Sequence, residues 1–280
     1  MTGAANRAHR RTGAVLAALV AFSDENLREG FIVLARHPPH GDAIAPRRFG
    51  AAEAFPSGRQ LAYFNPVIIL APARVDDIVE AVTWLRSLDM PLTLRVRIDV
   101  DDDQVAEAAA RLGLERDTWE EPAMALAPIP EARPPLPAGL RIDRADVAGI
   151  EAWYAAQAAG LDIAAGRAFA ADLIPASIAA DPGVQLNGGI LEGVPVATSI
   201  AIRSEHAVGV YAVGTATSVR RRGIGTALTW AAVAAGRGWA SAAAVLQASE
   251  MGDPVYRAMG FVEVSRYVTY AERGLTASAG

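Results

Sequence analysis

The chain has 280 residues, 52% hydrophobic and 20% charged, so it can bury a sizeable core. Its net charge of −5 argues against a nucleic-acid binder that relies on a broad basic face. There is no cysteine, which excludes disulfides, thiolate metal sites and a cysteine nucleophile. This absence is compatible with a reducing compartment, and we predict a cytoplasmic protein.

The first apolar run, from Ala14 to Phe22, follows basic residues and therefore resembles a short signal peptide. Helical spacing continues well beyond it, however, and no convincing cleavage site follows. We predict an amphipathic helix or helix pair, and no membrane partner, because no stretch reaches the ~20 apolar residues that cross a bilayer. The apolar positions with this spacing are Leu16, Leu19, Val20, Leu27, Phe31 and Leu34.

The first half continues with a predicted helix, strand and helix. Apolar residues recur at helical spacing over residues 75–88, and residues 92–100 alternate strictly, which predicts a strand with one polar face. A helix follows, which Gly113 is expected to end. The acidic run from Asp99 to Gln104 superficially suggests metal ligands, but the dipole at the start of this helix explains it better, and we predict no metal site.

The pattern recurs after a proline-rich stretch that opposes both helix and central strand. Residues 183–215 predict three consecutive strands, with turns at Glu192-Gly193 and near Ser204-Glu205. A helix, a buried strand and a short helix follow, and Gly260 stands where the first half has Gly113. The recurrence indicates a divergent internal repeat.

Two domains of mixed α/β or α+β structure are therefore predicted, each with a sheet of several strands and helices on its faces. The first is expected to span residues 1–126 and the second residues 140–273. The proline-rich residues 127–139 would link them, and residues 274–280 would form a disordered tail.

One window of the second half, VRRRGIGTAL, combines three arginines with two glycines between a strand and a helix. A helix N-terminus carries unpaired N–H groups and partial positive charge, which suit a phosphate. Glycines let the backbone approach phosphate oxygens, and arginines add forked donors. The window lacks the dinucleotide fingerprint and the P-loop ending. It contains R-x-x-G-x-G, formed by Arg220, Gly223 and Gly225.

At this point the chain resembles the GNAT family of acetyl-CoA-dependent N-acetyltransferases, in which this loop holds the pyrophosphate of coenzyme A. Tyr256, Gly260 and Phe261 also match the family's Y-x-x-x-G-F ending. The resemblance covers about residues 139–271. It implies a fold of class α/β (α+β), with two GNAT-like domains that each contain a mixed, mostly antiparallel sheet flanked by helices.

The resemblance also implies a site, with acetyl-CoA as cosubstrate. Tyr256 would protonate the departing thiolate, and the backbone of the preceding strand would pair with the pantetheine arm. Ser249 stands where many family members carry an asparagine that contacts the coenzyme. The implied coenzyme-binding residues are Val213, Gly214, Thr215, Arg220, Arg221, Arg222, Gly223, Ile224, Gly225, Thr226 and Ser249.

The first half lacks the corresponding groups, so we predict a degenerate GNAT-like domain there. Asp76 and Asp77 replace the arginines and would repel a pyrophosphate. Ala109 precedes Gly113 by four residues, whereas Tyr256 precedes Gly260 by the same interval. The first half would then buttress the second or shape its acceptor cleft.

Several alternatives remain open from the sequence. The arginines could form a solvated loop, Tyr256 could be a core residue, and Ser249 could cap the next turn. Glu205, His206 or a water chain could act as the base. The acceptor is expected to be a small-molecule or peptide amine, and the protein a monomer or homodimer. A non-catalytic acyl-CoA-binding or regulatory module, or a nucleotide-binding protein, would use the same loop.

Overall fold

The computed structural model of the chain describes residues 2–160 and 166–273, with side chains from residue 13 onward. Its core is one twelve-stranded, mostly antiparallel sheet flanked by seven α-helices. The helices are α1 (Thr2–Arg36), α2 (Val75–Arg86), α3 (Asp103–Leu112), α4 (Ile150–Gly160), α5 (Gly166–Leu173), α6 (Ile224–Gly238) and α7 (Asp253–Ala258). The strands are β1 (Arg47–Phe49), β2 (Ala52–Ala54), β3 (Pro66–Ile69), β4 (Thr93–Arg97), β5 (Leu114–Arg116), β6 (Glu121–Leu126), β7 (Leu140–Ala145), β8 (Val184–Leu191), β9 (Val194–Arg203), β10 (Ala207–Thr215), β11 (Ala243–Gln247) and β12 (Val262–Glu272).

The predicted internal repeat is confirmed. In the first half β3 and β4 are parallel and joined by α2, and α3 then leads to β5. In the second half β10 and β11 are parallel and joined by α6, and α7 leads to β12. Gly113 and Gly260 both have positive φ, at 70° and 94°, a conformation that glycine adopts without steric cost.

Local signals account for the start of α3 and for the β8–β9 turn. The Asp102 carboxylate accepts hydrogen bonds from the N–H groups of Gln104 and Val105 and so caps α3. Glu192 and Gly193 form the β8–β9 turn with positive φ at both positions, as hairpin turns require. The three predicted strands of the second half are confirmed as β8, β9 and β10.

The predicted strand over residues 92–100 is shorter than expected and has no solvent-exposed face. Strand β4 covers only Thr93–Arg97, and a 3₁₀ turn takes the last apolar residues. Leu94 and Val96 share one apolar face, as predicted, and it packs against α2. The opposite face is also covered, and its Arg95 is only 2% exposed. The polar face of β4 is therefore buried, because residues distant in the chain pack against it.

The two halves exchange strands. The sheet order is β1-β2-β3-β4-β12-β6-β11-β10-β9-β8-β7, with β5 also paired to β12. Strand β6 precedes the proline-rich stretch, yet it lies between β11 and β12 of the second half. The later part of β12 extends in turn across β4 and β5 of the first half. The sheet therefore crosses the predicted division of the chain in both directions, and the domain limits themselves stay a prediction.

A single long helix, α1, packs over the middle of this sheet. Leu19, Leu27 and Phe31 are buried as predicted, whereas Leu16 is 47% exposed. Asn26 donates a hydrogen bond to the Ile202 carbonyl in β9, at 3.0 Å. Within the described part of the chain, no helix is both long and apolar enough to span a membrane. The predicted tail over residues 274–280 lies outside the described residues.

The Asp24 carboxylate connects α1 to the exchanged strand as well. It accepts a hydrogen bond from the Tyr267 hydroxyl of β12 at 2.7 Å and forms an ion pair with Arg97 of β4. Burial raises the pKa of Asp24, while Tyr267 and Arg97 act in the opposite direction. Helix α1 is thus fixed to strands of both halves by buried polar contacts.

We predict that residues 140–273 do not fold alone. Without β6, the facing edges of β11 and β12 lose their hydrogen-bonding partner, and the cores around Met124 and Ala125 are opened. Far-UV circular dichroism of this fragment should show no cooperative thermal transition. Co-expression with residues 1–139 should restore one. A cooperative transition of the isolated fragment at the temperature of the full chain would contradict the prediction.

Candidate functional site

The strands β10 and β11 separate at their carboxyl ends. Their parallel pairing covers only Ala207–Gly209 opposite Ala243–Val245. Strand β10 continues to Thr215, but its register with β9 shifts between Tyr211 and Gly214, where Ala212 has a φ of 49°. The bulge turns β10 away from β11. A wedge therefore opens between β10 and β11, and we call this wedge the splay. Val213 to Thr215 lie along one side of it.

Two contacts that the sequence does not reveal stabilise this bulge. The Thr198 hydroxyl in β9 donates to the Ala212 carbonyl at 3.1 Å and also contacts the Gln157 side chain of α4. Helix α4 ends against the same backbone, because a Cβ on Gly160 would lie only 2.8 Å from the carbonyl carbon of Gly214. No spacing in the sequence joins these residues, since they come from three separate elements.

The arginine-glycine loop lies directly beyond β10. Arg221 and Gly223 have positive φ, at 60° and 76°, and α6 begins at Ile224. The N–H groups of its first turn have no carbonyl partner within the helix and point out of its N-terminus. Arg220 Nε donates to the Thr215 carbonyl at 3.0 Å, which ties the loop to the end of the strand.

The remaining loop residues leave the helix end accessible. The side chains of Arg221 and Arg222 are exposed. A Cβ on Gly225 would lie 3.3 Å from Thr215 Oγ1, so this glycine brings the first turn of α6, including Thr226, close to β10. The structure therefore places the splay, the helix N-terminus and the arginines next to one another.

Tyr256 is half-buried and packs against the ring of Phe261, with the centroids 6.0 Å apart. Tyr256 and Val213 pack against the same apolar cluster, which also contains Phe261. Burial raises the pKa of Tyr256 to about 12. The phenol therefore keeps its proton throughout the neutral range, as a proton donor must.

Ser249 is exposed, and its described contact is a local one. Its Oγ accepts a hydrogen bond from the Gly252 N–H at 3.2 Å and so closes the turn before α7. This is the turn role that the sequence left open as an alternative, whereas the N-cap of α7 is Gly252. Contact of Ser249 with a coenzyme stays a prediction.

Glu205 and His206 lie at the wrong end of β10 to act as the base. They precede Ala207, whereas the splay opens near Gly214, about 25 Å away along an extended strand. His206 Nδ1 lies 2.8 Å from a carboxylate oxygen of Glu25, and its ring stacks on a phenylalanine of α1. The His206 side chain thus fastens α1 to the β9–β10 turn, the Glu205 side chain is 82% exposed, and neither lies at the splay.

The first half contains no counterpart of the splay. Strands β3 and β4 stay paired from Pro66 opposite Thr93 to Ile69 opposite Val96. The Asp77 carboxylate, in the first turn of α2, packs against the backbone at Gly50. That the first half is a degenerate GNAT-like domain stays a prediction.

Trp153, Tyr154 and Asp101 of the acidic run have structural roles. The Trp153 indole donates to the Asn187 carbonyl, and the Tyr154 hydroxyl to that of Ile174, and both rings are buried in the core. The Asp101 carboxylate accepts a hydrogen bond from Tyr270. Among the described residues, no group of three or more histidines and carboxylates is arranged to hold a metal ion.

Comparison with known proteins shows similarity at the level of structure. No family model and no curated sequence matches the chain. A GCN5-related N-acetyltransferase from Kribbella flavida superposes with a TM-score of 0.67 at 18% identity, covering 91% of this chain and 95% of that one. A tandem GNAT protein from the clavulanic acid biosynthesis pathway gives 0.57 at 16% identity, covering 92% and 96%.

A third similar structure is a GCN5-related N-acetyltransferase from Sphaerobacter thermophilus. It gives a TM-score of 0.54 at 18% identity and covers 79% of this chain and 76% of that one. Identities this low establish the fold alone. Together with the duplicated strand-helix-strand units, the superpositions show that the chain has the fold of GNAT acetyltransferases, in the tandem arrangement.

Proposed function

We propose that the protein is an acetyl-CoA-dependent N-acetyltransferase whose active site lies in its second half. The observation that carries the proposal is the splay between β10 and β11, which opens onto the N-terminus of α6. A wedge between strands suits an extended arm, and a helix N-terminus flanked by arginines suits a diphosphate. The solved structures with this fold that are described as acetyltransferases support the same activity.

The coenzyme would bind along β10. The backbone of Val213, Gly214 and Thr215 borders the splay and is available on the side that β11 leaves. The N–H groups from Gly223 to Thr226, with Arg221 and Arg222 beside them, would hold the pyrophosphate. These donors require no side-chain rearrangement, because the helix presents them already oriented.

The reaction would be a direct transfer within a ternary complex. A backbone N–H within Val213 to Thr215 would donate to the thioester oxygen and stabilise the negative charge that develops there. The Tyr256 phenol would give its proton to the departing thiolate. Its pKa of about 12 lies above the ~8.5 of a thiol, so proton transfer would accompany cleavage of the carbon–sulfur bond rather than precede it.

The acceptor would be the primary amine of a small molecule or peptide. It would approach from the face of the sheet that α1 and α4 cover, near the bulge at Ala212. From the sequence, loops around residues 155–170 and the interface between the halves are expected to build the acceptor pocket. Residues 161–165 of that stretch lie outside the described residues.

The variant Gly225→Glu should abolish tight coenzyme binding. It places a side chain and a negative charge in the first turn of α6, where the pyrophosphate would lie, and we expect the Kd for acetyl-CoA to rise at least about 30-fold. Isothermal titration calorimetry measures this. Gly238→Glu, at the other end of α6 in open space, is the matched control and should bind normally. A folded wild-type chain that ignores acetyl-CoA would overturn the proposal.

The variant Tyr256→Phe separates an enzyme from a non-catalytic coenzyme-binding module. Loss of the proton donor should lower kcat about 10²-fold to 10⁴-fold while the Kd for acetyl-CoA changes less than about threefold. Because the pKa of Tyr256 is raised to about 12, its ionisation should cause no loss of wild-type kcat between pH 7 and 10. Tyr270→Phe, in the first half's part of the sheet, serves as control. Unchanged turnover in Tyr256→Phe would exclude the phenol as the acid.

The variant Thr198→Val tests whether the bulge shapes the coenzyme site. It removes the hydroxyl that donates to the Ala212 carbonyl, which should cost about 1–3 kcal/mol in the free energy of unfolding and raise the KM for acetyl-CoA several-fold. Chemical denaturation and initial rates measure the two effects. Thr198→Ser keeps the hydroxyl and should behave like the wild type. A normal KM in a measurably destabilised Thr198→Val variant would show that the bulge is only structural.

A further inference from the structure

The exchanged strand β6 carries a carboxylate to the open end of the splay. Ala123 pairs with Gln247, and the Ala248 N–H donates to the Pro122 carbonyl at 2.9 Å, so the register continues past the end of β11. Glu121 therefore lies level with Ser249, where β10 and β11 have separated. Only β11 stands between β6 and the splay, a spacing of about 5 Å between neighbouring strands.

The Glu121 side chain lies on the face of the sheet that α1 covers. Alternate residues of a strand point to opposite faces. Ala123 and Ala125 pack in the clusters that include α1 residues, whereas Met124 packs in the cluster on the α6 side. Glu121 shares the face of Ala123, and this is the face from which the acceptor would approach.

A buried arginine holds this carboxylate in place. Arg95 of β4 forms an ion pair with Glu121, and its guanidinium lies 5.3 Å from the ring centroids of both Tyr63 and Tyr267. The Arg95 side chain is 2% exposed, whereas that of Glu121 is 19% exposed. The glutamate is therefore the member of the pair that water or a ligand can reach.

The ion pair also lies within electrostatic reach of the bulge. Burial raises the pKa of Tyr211, the residue that precedes Ala212, and the nearby positive charge of Arg95 acts in the opposite direction. The Tyr211 hydroxyl is fixed by hydrogen bonds to Asn26 of α1. Tyr63, Arg95 and Glu121, all from the first half, therefore lie together on the face of the sheet that α1 covers.

We propose that Glu121 is the base that takes the proton of the acceptor's ammonium group, directly or through one water. This assignment rests on the proposed function. Arg95 fixes the position of the carboxylate, and the partial exposure of Glu121 leaves it accessible to the ammonium group or to a bridging water. The acceptor would then be an amine that binds in its cationic form, attracted by the carboxylate.

With Glu121 as the base and Tyr256 as the acid, every proton of the reaction is accounted for. Glu121 accepts one proton from R–NH₃⁺, and the neutral amine then forms a bond to the acetyl carbon as the carbon–sulfur bond breaks. The thiolate receives the Tyr256 proton. The second proton of the nitrogen returns to the Tyr256 phenolate through solvent, and Glu121 releases its proton to water. The net products are the acetamide, the free thiol and one proton.

The test is a comparison of Glu121→Gln, Glu121→Asp and Glu120→Gln in the full chain. Acetyl-CoA turnover is followed by thiol release with a panel of primary amines, and acetyl-CoA affinity by calorimetry. Glu121→Gln should lose at least 100-fold in kcat/KM for the amine with the Kd for acetyl-CoA within threefold. Glu120→Gln removes the same charge one residue away, from an exposed pair with Arg116, and should stay within twofold of the wild type.

The pH profile distinguishes a base from a structural residue. In Glu121→Gln, log kcat/KM should rise with unit slope up to the acceptor's own pKa, because only the free amine reacts, whereas the wild type should level off earlier. Glu121→Asp keeps the charge beside Arg95, so it should fold even where Glu121→Gln does not, and the withdrawn carboxylate should lower kcat/KM at least tenfold.

The outcomes separate the two proposals. Activity within threefold of the wild type in both Glu121 variants, or a reduced activity that keeps the wild-type pH profile, would overturn the role of Glu121 and leave the acetyltransferase intact. Acetyl-CoA binding without turnover of any amine by the wild-type chain would overturn the proposed function, and the role of Glu121 with it.

Discussion

The insertion of β6 between β11 and β12 is the contact on which the rest of the structure depends. Every backbone N–H and C=O on both edges of a central strand needs a partner, and here those partners come from the other half of the chain. Ala123, Met124 and Ala125 are fully buried as a result. β12 completes the exchange by covering β4 and β5, so each half closes the sheet of the other.

Helix α1 packs against the part of the shared sheet that leads to the candidate site. Its Asn26 side chain lies directly over Gly209, where a Cβ would collide with the amide, and its Gly30 lies 3.3 Å, measured from an added Cβ, from the Tyr211 hydroxyl. Two glycines, one on each element, allow this close approach. Since Tyr211 precedes the bulge, a helix from the first half supports the strand that would hold the acyl group.

The features of the fold that could be predicted from the sequence are those that local patterns determine. The repeat, the β8–β9 turn, the end of α3 at Gly113 and the start of α6 after Gly223 all depend on neighbouring residues, and all are found. The partners of β6 could not be predicted, because an apolar strand pairs with any complementary edge. For the same reason the strand that contains Arg95 was predicted to have one polar face, whereas Arg95 is buried in the structure.

The residues of the candidate site show the same distinction between local motifs and distant contacts. The arginine-glycine loop and Tyr256 belong to short motifs, so the sequence indicated them as candidates. Thr198, Gly160 and Glu121 make their contacts with distant elements, and their spacing along the chain contains no trace of this. Glu205 and His206 precede the strand that borders the splay, and their proximity in sequence does not show that the length of β10 separates them from it.

The strand exchange also constrains the order in which the chain can fold. β6 pairs with residues more than a hundred positions later, and β11 and β12 come near the end of the described sequence. During synthesis from the N-terminus, the first half must wait with β6 unpaired and with β4 missing its neighbour until the last strand has emerged. Such non-local pairings delay the rate-limiting step, because the entropy of closing the long loop is lost before the contacts compensate for it. The strand edges that are still unpaired at this stage are apolar and can pair with other chains. The yield of refolded protein should therefore fall as the protein concentration rises.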